Sequence, residues 1–315
     1  MKEKAYPNVL LLGNGINQSY GGISWNDFLR AIATKEEIIN GKISINNLTC
    51  PEPLKAILVT DDHVDVALKK YWEAYHPQDE APPDIYQQIF SCGFDDILTT
   101  NYTYEVEQAA LYPQKATKEK IKTMMRHTNG SKKAECKYLL HTYNEAVVGE
   151  HTNRIWHIHG EARKPDSTIL GHYYYGNLLY KIKNELKDKR YDSKPELKSW
   201  IDSFILGDVF VLGFGFGLSE FDLWWLLNRK AREKSANGKV YFYEAESIGF
   251  DEKHDLMHML KRAYDGQAMI EIISCGYKNK ITVTDGREKC VLDGNYEDFY
   301  KAAIIDIKER LNKKQ

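Results

Sequence analysis

At 315 residues the chain is long enough for one large α/β domain with insertions or for two smaller units. Its 43% hydrophobic and 28% charged residues fit a packed core and exclude a disordered polar chain. A formal net charge of −2 and a pI of about 6.6 supply no global basic field to recruit nucleic acid or anionic lipid.

No apolar run approaches the roughly 18 residues of a membrane span, and the first residues hold no segment of signal-peptide length. The expected location is the cytoplasm. The cysteines, Cys50, Cys92, Cys136, Cys275 and Cys290, are odd in number and widely spaced. Without a Cys-x-x-Cys pair they are expected as scattered reduced thiols, not as a disulfide framework or a cysteine zinc site.

Val9-Leu10-Leu11-Leu12 is a short apolar run closed by glycine and reads as a buried parallel strand. Gly13-Asn14-Gly15-Ile16-Asn17 follows it. Trp25, Phe28, Leu29 and Ile32 fall at helical spacing behind Ser24, a good N-cap residue. Residues 35–90 lack strong strand signals, carry helical patches such as 64–75, and hold a loop with Pro77, Pro82 and Pro83. They are expected as a mostly helical insertion, with 1–34 and 91–315 forming the main domain.

Ile97-Leu98 begins a strand that runs into Thr99-Thr100-Asn101-Tyr102, and 104–111 is the helix after it. Residues 114–135 are polar and lysine-rich, with a turn signal at Asn129-Gly130-Ser131. They are expected as an exposed loop or short helix, a solvated face rather than a nucleic-acid tract.

Residues 137–143 and 154–159 are expected as strands, the second ending in His157-Ile158-His159-Gly160. Helices are expected at 178–186 and 195–204. Val209-Phe210-Val211-Leu212 is another buried strand, leading to Gly213-Phe214-Gly215-Phe216-Gly217 and a helix over 219–234. A strand at 240–243, a helix at 255–264, a strand at 268–273 and an amphipathic helix at 296–311 complete the pattern. Strands alternating with helices predict an α/β fold, a Rossmann-like doubly wound parallel sheet.

In such a sheet ligands bind outside the carboxyl ends of the strands, so four polar or glycine-rich strand ends point to one crevice. Gly13-x-Gly15 lets a phosphate approach the main chain, although Gln18 stands where the dinucleotide fingerprint has its third glycine. A tight turn without a ligand would use the same residues. Gly213-x-Gly215 repeats the arrangement, with Ser219 and Asp222 opening the next helix. Asn101 suits a helix N-cap, and equally a hydrogen bond to a ribose hydroxyl or an attacking water.

His157 and His159, two apart on a strand, are expected to share a face. His159, at the strand end, is a candidate general base, set against the reading of a hydrogen-bonded structural histidine. A His-x-His metal pair would need further ligands such as His151, His172 or a carboxylate, and no spacing points to them. Trp224-Trp225 are expected to pack in the core, and the run Tyr173-Tyr174-Tyr175 offers candidates to line a pocket.

Taken in this order, the four motifs resemble the sirtuin superfamily, the silent-information-regulator-like NAD-binding domains, over roughly residues 9–244. Gly13-Asn14-Gly15-Ile16-Asn17 is similar to that family's first phosphate loop. Thr99-Thr100-Asn101-Tyr102 is similar to its Thr-x-Asn segment, whose Asn serves the nicotinamide ribose. His159-Gly160 is similar to its catalytic His-Gly, and Gly213-Phe214-Gly215 stands where the family has a turn near the adenosine.

The resemblance implies NAD as the bound substrate, with Asn101 and His159 catalytic. It places Gly13, Asn14, Gly15, Asn17, Thr100, Gly213, Phe214 and Gly215 around the dinucleotide. Gly13 and Gly15 would hold the phosphates through backbone N–H groups. Sirtuin deacylases carry a four-cysteine zinc module between the catalytic His and the later glycine turn. Residues 161–212 contain no cysteine, so no zinc is expected.

That departure makes the chain similar to the zinc-less bacterial branch, whose members often consume NAD in defence against phage. The implied activity is an NAD glycohydrolase releasing nicotinamide and ADP-ribose. An NAD-dependent protein deacylase and a non-catalytic NAD or ADP-ribose sensor are the alternatives. Expected partners are NAD and an activating protein or further copies of the chain, with no nucleic acid and no membrane.

Overall fold

The structure is a computed structural model that describes residues 6–60, 64–74, 83–111, 126–129, 137–189, 191, 196–217, 219–233, 238–245, 252–263, 269–275, 279–284, 287–292 and 296–313. It opens with β1 (Asn8–Leu12), α1 (Gly15–Ser19) and α2 (Trp25–Ala31). Helices follow in succession: α3 (Glu36–Ile39), α4 (Glu52–Val59), α5 (Val64–Ala74) and α6 (Asp84–Phe90). Next come β2 (Asp96–Thr99), α7 (Glu105–Leu111), β3 (Arg126–Thr128), β4 (Thr142–Val148) and β5 (His151–His157). Helices α8 (His172–Leu186) and α9 (Trp200–Leu206) lead to β6 (Asp208–Leu212), α10 (Phe221–Arg232), β7 (Val240–Ala245), α11 (Glu252–Ala263) and β8 (Ile270–Cys275). A hairpin of β9 (Asn279–Thr284) and β10 (Arg287–Leu292) precedes α12 (Tyr296–Asn312).

The main sheet runs β3-β4-β5-β2-β1-β6-β7-β8. From β5 to β8 every pairing is parallel, whereas β4 and β3 extend the sheet antiparallel beyond β5. The six parallel strands thus lie in the 3-2-1-4-5-6 order of Rossmann-like folds, with the topological switch between β1 and β6. In β1, Leu12 pairs with Thr99 on one side and Leu212 on the other, so three strand ends are level at the switch.

Continuous apolar runs make these central strands because both faces are covered. Val9 and Leu11 face a core completed by α8, α9 and α10, while Leu10 and Leu12 face a core completed by α6, α7 and α12. A third cluster joins Phe28 and Leu29 of α2 to Ile38, Val59, Leu68 and Trp72, with Tyr104 and Leu170 at its base. The helices of residues 36–74 therefore build their own core together with α2, and α6 instead packs on the sheet.

Several boundaries differ from expectation. The strand expected at 137–143 begins at Thr142, because Tyr138 adopts a left-handed φ of 58° and a tight turn precedes the strand. The helix expected at 195–204 starts at Trp200, where Ser199 and Asp202 form a capping box. Most of 114–135 lies outside the described residues, but Arg126–Thr128 is an edge strand, not loop or helix. The β9–β10 hairpin was not foreseen: β9 and β10 hold few apolar residues, Ile281 and Val283 in one and Cys290, Val291 and Leu292 in the other. Among the described residues, no helix is long and apolar enough to cross a membrane.

Candidate functional site

The carboxyl ends of β1, β2, β5 and β6 surround one cavity of about 600 Å³, within the size range of small-molecule sites. Asn14, Gly15, Thr100, Asn101, His159, Gly213, Phe214 and Gly215 all line it. Gly13 and Asn17 do not; they lie behind the wall. Asn17 is buried, donating to Asn14 Oδ1 at 3.1 Å and accepting from the Tyr86 hydroxyl.

The two glycine turns interlock. A Cβ on Gly13 would lie 2.4 Å from the Gly213 carbonyl oxygen, and Gly213 itself sits at φ +65°. The Gly13 N–H donates to Leu212 O at 3.1 Å and the Gly15 N–H to Gly213 O at 2.8 Å. These two amides therefore close the turn and are not free to meet a phosphate in this state, contrary to expectation. Gly215, with open space where a Cβ would stand, faces the cavity. Beyond it Phe216 takes a φ of 44°, a conformation disfavoured for an L-residue, and is held by packing against Phe214, Trp224 and Phe242.

His157 and His159 do not share a face. The strand ends at His157, and Gly160 at φ +92° turns the chain; a Cβ there would strike Ser167 O at 2.2 Å. His157 points to α7: its Nε2 lies 2.8 Å from Glu107 Oε1 and its Nδ1 2.8 Å from the Asn101 carbonyl. Both partners are acceptors, so the ring bridges them as imidazolium. Burial opposes that charge, but Glu107 outweighs it and the pKa is raised.

His159 turns the other way, to α10. Its Nε2 is 3.0 Å from Asp222 Oδ2, and Tyr175 stands edge-on at 5.3 Å between ring centroids. Burial again lowers the imidazole pKa, but the Asp222 carboxylate, aided by Glu220, leaves it raised overall. Asn101 is fixed at its backbone by Thr99 Oγ1 and His157, while its Nδ2 is buried with no hydrogen-bond partner. An orphaned amide donor at a cavity wall is a group arranged for a ligand.

Residues from the helical segment complete the wall. Trp25 and Phe28 of α2, Glu52 and Pro53 of α4, and Trp72 of α5 line it, with Tyr102 packed against Phe28 and Trp72. Glu220 closes the α10 side. Burial raises its pKa to about 7, with His159 pulling it down and Asp222 and Glu52 pushing it up. His159, Glu220 and Asp222 bring possible ligand atoms within 4.8 Å of one another, the one metal-capable grouping among the described residues. It draws on the carboxylates of α10, not on His151, His157 or His172. The described cysteines Cys50, Cys92 and Cys275 are free thiols apart from this site.

Sequence reasoning saw Asp222 only as a helix opener and passed over Glu220. The spacing Ser219-x-x-Asp222 marked a helix start, but nothing local announced a partner 63 residues away. Trp224 and Trp225 pack partly buried against the core, as expected, and of the tyrosine run it is Tyr175 that lines the cavity.

No curated protein gives a significant match to the chain. The SIR2-like domain family matches residues 95–264, which is 170 of the 315 residues. The matched segment includes Asn101, His159, the Gly213 turn and Asp222, and leaves the first glycine turn outside it. With more than half its length matched, the chain belongs to the SIR2-like domain family.

Proposed function

We propose that the chain is an NAD glycohydrolase that splits the bond between nicotinamide and ribose. The observation that carries this reading is the pairing of an unpartnered Asn101 amide with an Asp222-held His159 on one cavity. The nicotinamide nitrogen is already cationic, so no acid has to protonate the leaving group. The transition state resembles an oxocarbenium ion, as in other glycosyl transfers.

Asn101 Nδ2 donates to a ribose hydroxyl or to the attacking water. His159 accepts the proton that the water loses, a role that contributes about 10²–10⁴-fold. Thr100, Phe214 and Gly215 frame the dinucleotide from the switch point, while Asn14 and Gly15 line the cavity beside them. Gly13 and Asn17 act from behind by holding that turn in shape. The missing cysteines between His159 and Gly213 support placement in the zinc-less bacterial branch, with a role as a cytoplasmic defence effector triggered by a partner protein or by self-assembly.

The test is incubation of the purified protein with NAD, alone and with an acyl-lysine peptide, resolving nicotinamide, ADP-ribose, cyclic ADP-ribose and O-acyl-ADP-ribose. Release of nicotinamide and ADP-ribose without peptide supports the proposal. Product that requires the peptide would replace it with deacylation. Calorimetric binding of intact NAD with no product would replace it with a sensor.

A further inference from the structure

The glycohydrolase reading leaves Glu220 without a task. Glu220 precedes α10 and lines the cavity beside His159 and Asn101. Its Oε2 is shut away from solvent and has no hydrogen-bond partner. Two other carboxylates are close, and each has one oxygen engaged by a charged partner, while Asp222 Oδ1 and Glu52 Oε2 are buried without one. Asp222 is fully buried, holds His159 and lies outside the cavity lining. Glu52 lines the cavity, but its Oε1 is held by Lys55 at 2.8 Å.

When ionised, Glu220 and Asp222, whose oxygens lie within 4.8 Å of each other and of His159, repel one another unless a cation joins them. The phenols of Tyr102 and Tyr175, pushed up by burial and by Glu220 itself, bring no positive charge. Among the described residues that line the cavity, none is lysine or arginine.

Resting on the glycohydrolase reading, we propose that Glu220 is a further catalytic residue whose carboxylate faces the positive charge that develops on the ribosyl ring. As the bond from C1′ to the nicotinamide nitrogen breaks, its electron pair leaves with the nitrogen and neutralises the pyridinium. The positive charge passes to the ribose as an oxocarbenium ion. Water then adds to C1′, its proton goes to His159, and the sum is NAD plus water to nicotinamide, ADP-ribose and one proton. A fixed carboxylate in a site screened from water stabilises such a cation more than bulk solvent would. Oε2, without a protein partner, is left to meet that charge, first on the pyridinium of bound NAD and then on the ribosyl ring.

The test uses the full chain and its Glu220→Gln and Glu220→Asp variants. Expected for Glu220→Gln is a kcat lowered about 10²–10³-fold, with the Kd for ADP-ribose, measured calorimetrically, nearly unchanged. Glu220→Asp should recover part of kcat. A second readout needs no turnover: in a His159→Ala background, NAD with its cationic ring should bind more tightly than NADH, and Glu220→Gln should remove that preference.

Undiminished kcat in Glu220→Gln would overturn the assignment. So would manganese binding by the wild type that Glu220→Gln abolishes, with EDTA-sensitive cleavage that manganese restores; Glu220 would then be a metal ligand. A wild type that never cleaves NAD sinks the glycohydrolase reading itself, and the NAD-against-NADH comparison still decides whether Glu220 meets a cation.

Discussion

Asn101 and His159 are each held by a buried acid on a neighbouring helix. Glu107 reaches Asn101 through the His157 imidazolium, and Asp222 holds His159 directly. Replacing Asn101 or His159 with Ala should lower NAD cleavage by at least about 10²-fold while the melting temperature stays within a few degrees. Near-normal turnover in either variant would remove it from the site.

Asp222→Asn tests the electrostatics. The imidazole must be neutral to accept a proton, and Asp222 is what keeps its pKa above the usual value. With the carboxylate gone, burial dominates and the imidazole deprotonates at lower pH. The acid limb of kcat/KM should therefore move to lower pH, and an unmoved limb would argue against His159 as the base. Asn101 and His159 were legible in the sequence because each sits in a short motif at a strand end. Asp222 and Glu107 were not legible as their supports, since those contacts exist only once α10 and α7 pack beside the sheet.

At the scale of elements, the strands were the most legible part, because runs such as Val209-Phe210-Val211-Leu212 leave few alternatives. Helix ends depended on side-chain chemistry that periodicity does not report. The carboxyl end of α9 is one case. Lys230, from α10, donates to the carbonyls of Phe204, Ile205 and Gly207 at 2.6–3.1 Å and satisfies groups that the helix leaves unpaired. Lys230→Met should cost about 2 kcal/mol of stability, read by thermal or urea unfolding.

The pH dependence of that loss has a definite sign. Burial lowers the folded-state pKa of Lys230 from 10.5 to about 7, with Asp208 acting the other way. Between these values the unfolded chain holds the proton more tightly, so the stability Lys230 contributes rises with pH across that window. The penalty for Lys230→Met should thus be larger at about pH 9 than at about pH 6. The meeting of the glycine turns gives a second test at this scale. Gly13→Ala drives a methyl into the Gly213 carbonyl and should cost about 1–3 kcal/mol with loss of nucleotide binding. A variant as stable and as tight-binding as the wild type would mean that the two turns do not rest on each other.

For the whole molecule, the helices of 36–74 and α2 close over a crevice that the sheet alone would leave open. Trp25, Phe28 and Trp72 stand opposite the strand ends, so a bound dinucleotide would touch both parts at once. ADP-ribose at about 100 times its Kd should stabilise the folded chain by about 2.7 kcal/mol, seen as a rise of several degrees in melting temperature. No shift would argue against nucleotide binding altogether. The doubly wound sheet was readable from the alternation of elements. Its antiparallel margin was not, because β3 lies in a polar, lysine-rich stretch and β4 carries Asn144 and Glu145, and their strand character comes from β4 pairing with β5 and β3 pairing with β4.

The amides of Gly13 and Gly15 are already spent on the carbonyls of Leu212 and Gly213. The first and fourth parallel strand ends are thus laced together before any nucleotide arrives. A diphosphate could claim those amides only by unlacing them, and loading would then be a two-step event with a ceiling on its rate. At high nucleotide concentration the observed association rate should level off at the speed of unlacing, and a change in either turn should move that plateau.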